Sequence, residues 1–251
     1  MNRITSTTVV AFMLLLTQSV VVNASEIKIW TARALATVLA EVGPQFERET
    51  GHRLNVVSDL PAGFARRANA GEQFDIFISA SSTVDDWIKN GSIIATTRID
   101  VARSGIGVEV RAGALKPDIS SVETFKRTLL DAKSIAYLRV GSGIYLAGLL
   151  ERLGIAEAIK SKVTRPEDDT VSELVARGEV ELGMVVLTQI MTTPGVDLVG
   201  PLPPEIQSYI MFSAGISANS RVPNAARQLM KFLRGPTALP VIRAQGMEVT
   251  L

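Results

Sequence analysis

At 251 residues and 47% hydrophobic content, the chain can bury one large or two modest cores. It holds 26 Lys and Arg against 25 Asp and Glu, no cysteine and one histidine. That balance argues against nucleic acid or an anionic membrane surface as partner. A lone histidine without cysteine removes disulfides, the usual zinc sites and His-based triads. No metal and no cofactor is expected.

Met1 to Ala24 reads as a cleavable leader. Arg3 gives the positive start, Val9 to Leu16 the apolar run, and Val22-Asn23-Ala24 a small-residue cleavage pattern. The apolar run is short for a membrane span, so the expected product is exported to the periplasm with no membrane insertion after cleavage. The leader carries one basic and no acidic residue, which leaves 25 charges of each sign in the mature chain.

Glu26 to Trp30 alternates as a strand, and Leu35, Val38, Leu39, Val42 and Phe46 mark one helix face, which Gly43-Pro44 is expected to interrupt. Arg53 to Val57 is a strand, Phe64 to Asn69 a short helix, Phe74 to Ile78 a strand and Val84 to Lys89 a helix. This rhythm is that of a parallel sheet covered by helices. His52 falls at a helix end and reads as a C-terminal cation. Further on come a strand over Ile106 to Val110, a helix over Val122 to Leu130 and a strand over Ile135 to Val140. The turn Gly141-Ser142-Gly143 then opens a helix carrying Ile144, Leu146, Leu149, Leu150 and Leu153. Glu167-Asp168-Asp169-Thr170 is expected to cap a helix over Val171 to Arg177, followed by a strand over Glu181 to Val186 and a short helix over Leu187 to Met191. Strands over Val196 to Val199 and Ser208 to Ser217, and helices over Asn224 to Leu233 and Thr237 to Ala244, close the chain.

Ligands of parallel α/β sheets bind at the carboxyl ends of the strands. Four polar loops fall there: Thr31-Ala32-Arg33, Ser58-Asp59, Ser79-Ala80-Ser81 and Gly141-Ser142-Gly143. Their hydroxyls, first-turn N–H groups and one arginine suit a small anion, with the helix dipole adding partial positive charge. Each loop also fits plain turn chemistry, and Ser79 alone fits a helix cap. Thr31, Arg33, Ser58, Ser79, Ser81, Ser142, Gly143 and Tyr145 are the candidate ligand-binding residues.

Four segments carry a resemblance: Ile29 to Gly51, Gly71 to Ser81 around Asp75-Ile76-Phe77-Ile78-Ser79-Ala80, Arg177-Gly178-Glu179 to Val185, and Phe232-Leu233-Arg234-Gly235-Pro236 to Met247-Glu248. On these the mature chain resembles the type II periplasmic solute-binding proteins, in the molybdate-binding group of ABC transporters. The resemblance implies an α/β fold of two lobes, each a mostly parallel sheet flanked by helices, with a ligand clamped between them. It places the lobes at Ser25 to Ala102 plus Tyr209 to Leu251, and at Arg103 to Ser208, with crossings near Arg103 to Gly107 and Pro204 to Ser208. It also implies an ABC permease as partner and a monomeric receptor.

The ligand motifs depart from that group. The first loop has alanine where the group places serine, Ser58-Asp59-Leu60-Pro61-Ala62-Gly63 replaces a Gly-Ser-Ser-Gly turn, and Val186 stands where a tyrosine is common. Arg33 offers instead a planar fork suited to a carboxylate, so an organic di- or tricarboxylate is favoured over a molybdate-like oxyanion. Val101 to Gly107, Arg111 to Val122, Ala132 to Tyr137 and Ser142-Gly143-Ile144-Tyr145 resemble a narrower branch similar to periplasmic aconitate isomerases. A carrier and an isomerase that shifts a double bond in a tricarboxylate both remain open, as does a sensor-type ligand presenter. For the isomerase, Asp59 and Tyr145 are the candidate catalytic residues. Asp59 as a helix cap and Tyr145 as a packed ring are their plainer alternatives.

Overall fold

The computed structural model describes residues 24–167 and 170–249. The leader up to Asn23, and Asp168 and Asp169 of the expected cap, lie outside the described residues. Strand β1 (Glu26–Thr31), helix α1 (Arg33–Thr50), strand β2 (Arg53–Ser58), helix α2 (Pro61–Asn69), strand β3 (Ile76–Ala80) and helix α3 (Ser81–Lys89) follow the expected alternation. The long strand β4 (Ile99–Arg111) leads to α4 (Val122–Asp131), β5 (Ile135–Tyr137), α5 (Ser142–Arg152), α6 (Ala156–Ile159), β6 (Val163–Thr164), α7 (Val171–Ala176), β7 (Leu182–Val186) and α8 (Leu187–Thr192). Strands β8 (Val196–Pro201) and β9 (Tyr209–Ile216) and helices α9 (Pro223–Leu233) and α10 (Ala238–Ala244) complete the order. No helix among the described residues is long and apolar enough to cross a membrane.

The strands join in the order β2-β1-β3-β9-β4-β7-β5-β6, with β8 also on β4, as one curled sheet. Pairing is parallel in β2-β1-β3 and β7-β5-β6, and antiparallel wherever β4 or β9 takes part. The pleat sends alternate side chains to opposite faces, and both faces are covered. Ile27 and Ile29 of β1 and Ile76 and Ile78 of β3 pack with Leu35, Val38 and Phe46 of α1 and Leu229 of α9. Trp30 and Phe77 point the other way, into a stack with Phe64 of α2, Phe74 and Trp87 of α3. A separate core gathers Phe125 and Leu129 of α4, Leu146, Leu149 and Leu150 of α5, and Met184 of β7.

Three local differences from the sequence reading have physical causes. Helix α1 runs unbroken through Pro44. Pro44 and Ala40 are both exposed, so the carbonyl that loses its partner meets water. Helix α2 starts at Pro61, at the first helical position, where a missing N–H costs nothing. His52 is buried rather than displayed as a cation: its Nδ1 accepts the Ser25 N–H at 3.2 Å and its Nε2 meets Gln228 Oε1 at 3.1 Å.

Strand β4 changes partner midway. Its first part pairs with β9 as far as Gly105 opposite Tyr209, and from Ile106 it pairs with β7 and β8. The break would leave the Ile106 N–H without a partner. The Gln207 side chain fills the gap like a short strand: its Oε1 accepts the Ile106 N–H at 2.9 Å and its Nε2 donates to the Ile106 carbonyl at 2.9 Å. Gln207→Ala is expected to cost about 1 kcal/mol through the buried amide it strands. A lower urea midpoint at unchanged denaturant slope is the measurement.

Candidate functional site

The amino ends of α1, α2, α5 and α8, each just past the carboxyl end of a strand, open on one cleft of about 430 Å³. Ala32, Arg33 and Ala34 come from α1, Leu60 and Pro61 from α2, Gly141 and Ser142 from α5, and Val186 and Thr188 from α8. None of these four helices has a side-chain cap. The first-turn N–H groups of a helix have no acceptor within it, so, apart from those held otherwise, such as the Thr188 N–H by Ser104 and the Gly143 N–H by Val140, the missing caps leave donors at the cleft wall. A cavity of about 470 Å³ around Gly105 and Gln207 is walled largely by prolines and apolar side chains and brings no such groups together.

Three residues with hydroxyls on this wall are almost fully buried: Ser79 is 3% exposed, Thr188 4% and Ser142 6%. Ser79 lies one residue before the end of β3, beside the crossing strand β9, Ser142 starts α5, and Thr188 lies in the first turn of α8. The polar side-chain atoms that are both buried and unpaired among the described residues are Trp30 Nε1 and Arg165 Nε, so these three hydroxyls are not sealed off without a partner; their residues line the cleft. Arg33 is exposed on the same wall and forms no ion pair among the described residues. Glycine makes the Ser142 position possible. Gly141 has φ 56° and ψ −123°, a backbone that side chains rarely tolerate. Gly143 packs directly on the Leu138 carbonyl, where a Cβ would collide.

The cleft therefore gathers Arg33, Asp59, Ser79 and Ser142 of the sequence candidates. Asp59 takes the Leu60 N–H at 2.8 Å and Arg67 Nε at 3.2 Å. The Leu60 N–H first, then Arg67, hold its carboxyl below the usual carboxylate range. The other five candidates lie off the cleft wall. Thr31 is fully buried and its hydroxyl donates to the Ala32 carbonyl at 3.2 Å. Ser58 is exposed at the end of the edge strand β2, beside Thr31. Ser81 is 2.6 Å from Ser213, which donates in turn to Asp100 at 2.7 Å. The Gly143 N–H donates to the Val140 carbonyl at 3.0 Å. Tyr145 packs against the core of Phe125 and Leu146, and its hydroxyl donates to the Ile206 carbonyl at 2.9 Å.

Thr188 and Glu173 are among the cleft residues that were not candidates. Thr188 stands two residues past the end of β7, so the strand-end rule that picked out Ser79 reaches it as well. Its backbone N–H is held by the Oγ of Ser104, a fully buried serine of β4, at 3.3 Å. Glu173 carries no comparable signal, because α7 reads as an ordinary surface helix.

The model of the bacterial extracellular solute-binding protein family matches residues 27–248. An aconitate isomerase from Pseudomonas sp is 32% identical over 216 residues, which is 84% of this chain and 82% of that protein. The molybdate-binding protein ModA of Azotobacter vinelandii is 27% identical over 231 residues, covering 89% of this chain and 90% of its own length. The solved periplasmic molybdate-binding protein of Azotobacter vinelandii superposes with a TM-score of 0.70 at 21% identity, over 90% of this chain and 100% of that one. The fold is that of the type II periplasmic binding proteins, and the chain belongs to the family of bacterial extracellular solute-binding proteins.

Proposed function

We propose that this chain is the periplasmic receptor of an ABC-type transporter and closes two lobes on a small organic anion with two or three carboxylates. The lobes are Ser25 to Ala102 plus Tyr209 to Leu251, and Arg103 to Ser208, hinged where β4 changes partner. The observation that carries this reading is the set of donors gathered on one wall: the hydroxyls of Ser79, Ser142 and Thr188, together with Arg33. They come from both proposed lobes, so a ligand held by all of them favours closure. Neutral hydroxyls and helix N-termini suit any small oxyanion. The guanidinium adds a planar fork that matches a carboxylate.

An isomerase acting on a tricarboxylate is the second reading, favoured by the 32% identity to an aconitate isomerase. It needs a base to remove a proton α to a carboxylate. Asp59 is poorly placed for that role, since the Leu60 N–H and Arg67 stabilise its ionised form. Tyr145 lies off the cleft. The carrier reading asks nothing further of these residues.

The test is a melting-temperature screen of citrate, both aconitates, molybdate, tungstate and sulfate. A ligand that binds only the native state raises the melting temperature with its concentration. A larger rise with a tricarboxylate than with molybdate is expected; the reverse ends the carboxylate reading. Proton NMR of a saturated aconitate sample then separates carrier from enzyme, and cis–trans interconversion at catalytic protein concentration ends the carrier reading.

A further inference from the structure

The proposed anion cleft also carries a carboxylate. Glu173 lines it from α7, and its nearest ion partner among the described residues is Arg177 at 4.0 Å, one helical turn on. Exposed pairs of that kind neutralise little. The other cleft carboxylate, Asp59, is matched by Arg67 at 3.2 Å. Among the described residues, Arg33 and Glu173 are thus the two poorly compensated charges of the wall, of opposite sign. The neighbouring residue fixes where α7 sits. Ser172, 1% exposed, donates its hydroxyl between the two oxygens of buried Glu109, at 2.8 and 2.9 Å. Successive helix residues point about 100° apart, so Ser172 facing the sheet leaves Glu173 on the adjoining, cleft-side face.

A carboxylate beside a polyanion site repels a ligand that offers it only negative charge, and rewards one that offers a donor. Resting on the carboxylate reading above, we infer that Glu173 is a specificity-determining residue. It makes the receptor select polycarboxylates that carry a hydroxyl over those that carry none.

Citrate and tricarballylate differ by one hydroxyl and make the direct test, by calorimetric titration of the mature chain. Wild type is expected to bind citrate about tenfold or more tighter than tricarballylate, the discrimination of one hydrogen bond to a charged group. Glu173→Ala is expected to bring the two within a few-fold of each other, with tricarballylate binding more tightly than to wild type. Glu173→Gln keeps an acceptor without the charge, and is expected to tighten tricarballylate while retaining part of the preference. Glu173 is exposed, so an unchanged melting temperature of each ligand-free variant verifies folding. An unchanged citrate-to-tricarballylate ratio in Glu173→Ala, with both ligands still weakened by Arg33→Ala, overturns the role of Glu173 and leaves the carboxylate reading intact. Binding of neither tricarboxylate to wild type overturns both.

Discussion

Wild-type stability is expected to fall by about 3 kcal/mol between pH 4.5 and 7 through one buried group, Glu109, whose carboxyl is pushed up to about 7 from its ordinary 4.5. Burial in the sheet is the main cause, and the Ser172 hydroxyl offsets it only in part. Glu109 sits on β4 between Gly183 of β7 and Leu198 of β8, so neither strand neighbour brings a cation to it. In this pH window the folded chain keeps a proton that the unfolded chain has released. Stability from this group is therefore complete below pH 4.5, declines as pH rises towards 7, and is flat above it. Glu109→Gln preserves the shape without a titrating proton. Urea unfolding of both proteins at pH 5 and pH 8 is the measurement. The wild type is expected to lose stability relative to the variant as pH rises, and a difference independent of pH would refute a titrating carboxyl at this position.

Elements built on strong apolar periodicity were legible in the sequence, because their faces are their cores. The alternation of β1 and the stripe of α1 need only the sheet and helix periods. The first half of β4 was hidden, since Asp100, Arg103 and Ser104 break the apolar pattern of Ile99 to Gly105. Those polar groups are accommodated by partners far along the chain: Arg103 meets Glu248 at 2.6 Å, and Ser104 holds the Thr188 N–H. The candidate site was half legible for a similar reason. The strand-end rule located Arg33, Ser79 and Ser142, but it reads a hydroxyl without knowing its partner. Ser81 and Thr31 have the same chemistry as Ser79, and only packing decides that their oxygens meet Ser213 and the Ala32 carbonyl instead of the cleft. Tyr145 was drawn in by its place four residues past Gly141, yet helix α5 turns it towards the Ile206 carbonyl.

Arg33→Ala is expected to weaken a di- or tricarboxylate tenfold to a hundredfold. Hydrogen bonds to a charged group contribute about 1.5–3 kcal/mol, and 1.4 kcal/mol is tenfold in affinity. A guanidinium makes two parallel bonds to one carboxylate, and Arg33 has no ion-pair partner among the described residues to leave when it does so. Because the side chain is exposed and supports no other group among the described residues, the melting temperature of the ligand-free variant is expected to match wild type. Arg33→Lys restores charge but not the fork, so it is expected to recover only part of the loss. Molybdate makes the control. A site for it built from Ser79, Ser142, Thr188 and helix N–H groups gains little from a planar fork, so its weaker binding is expected to change least. Calorimetry with citrate and molybdate on the three proteins checks the pattern. Tight molybdate binding indifferent to Arg33, with citrate equally indifferent, places recognition in the hydroxyls and helix ends alone and returns this cleft to an oxyanion site.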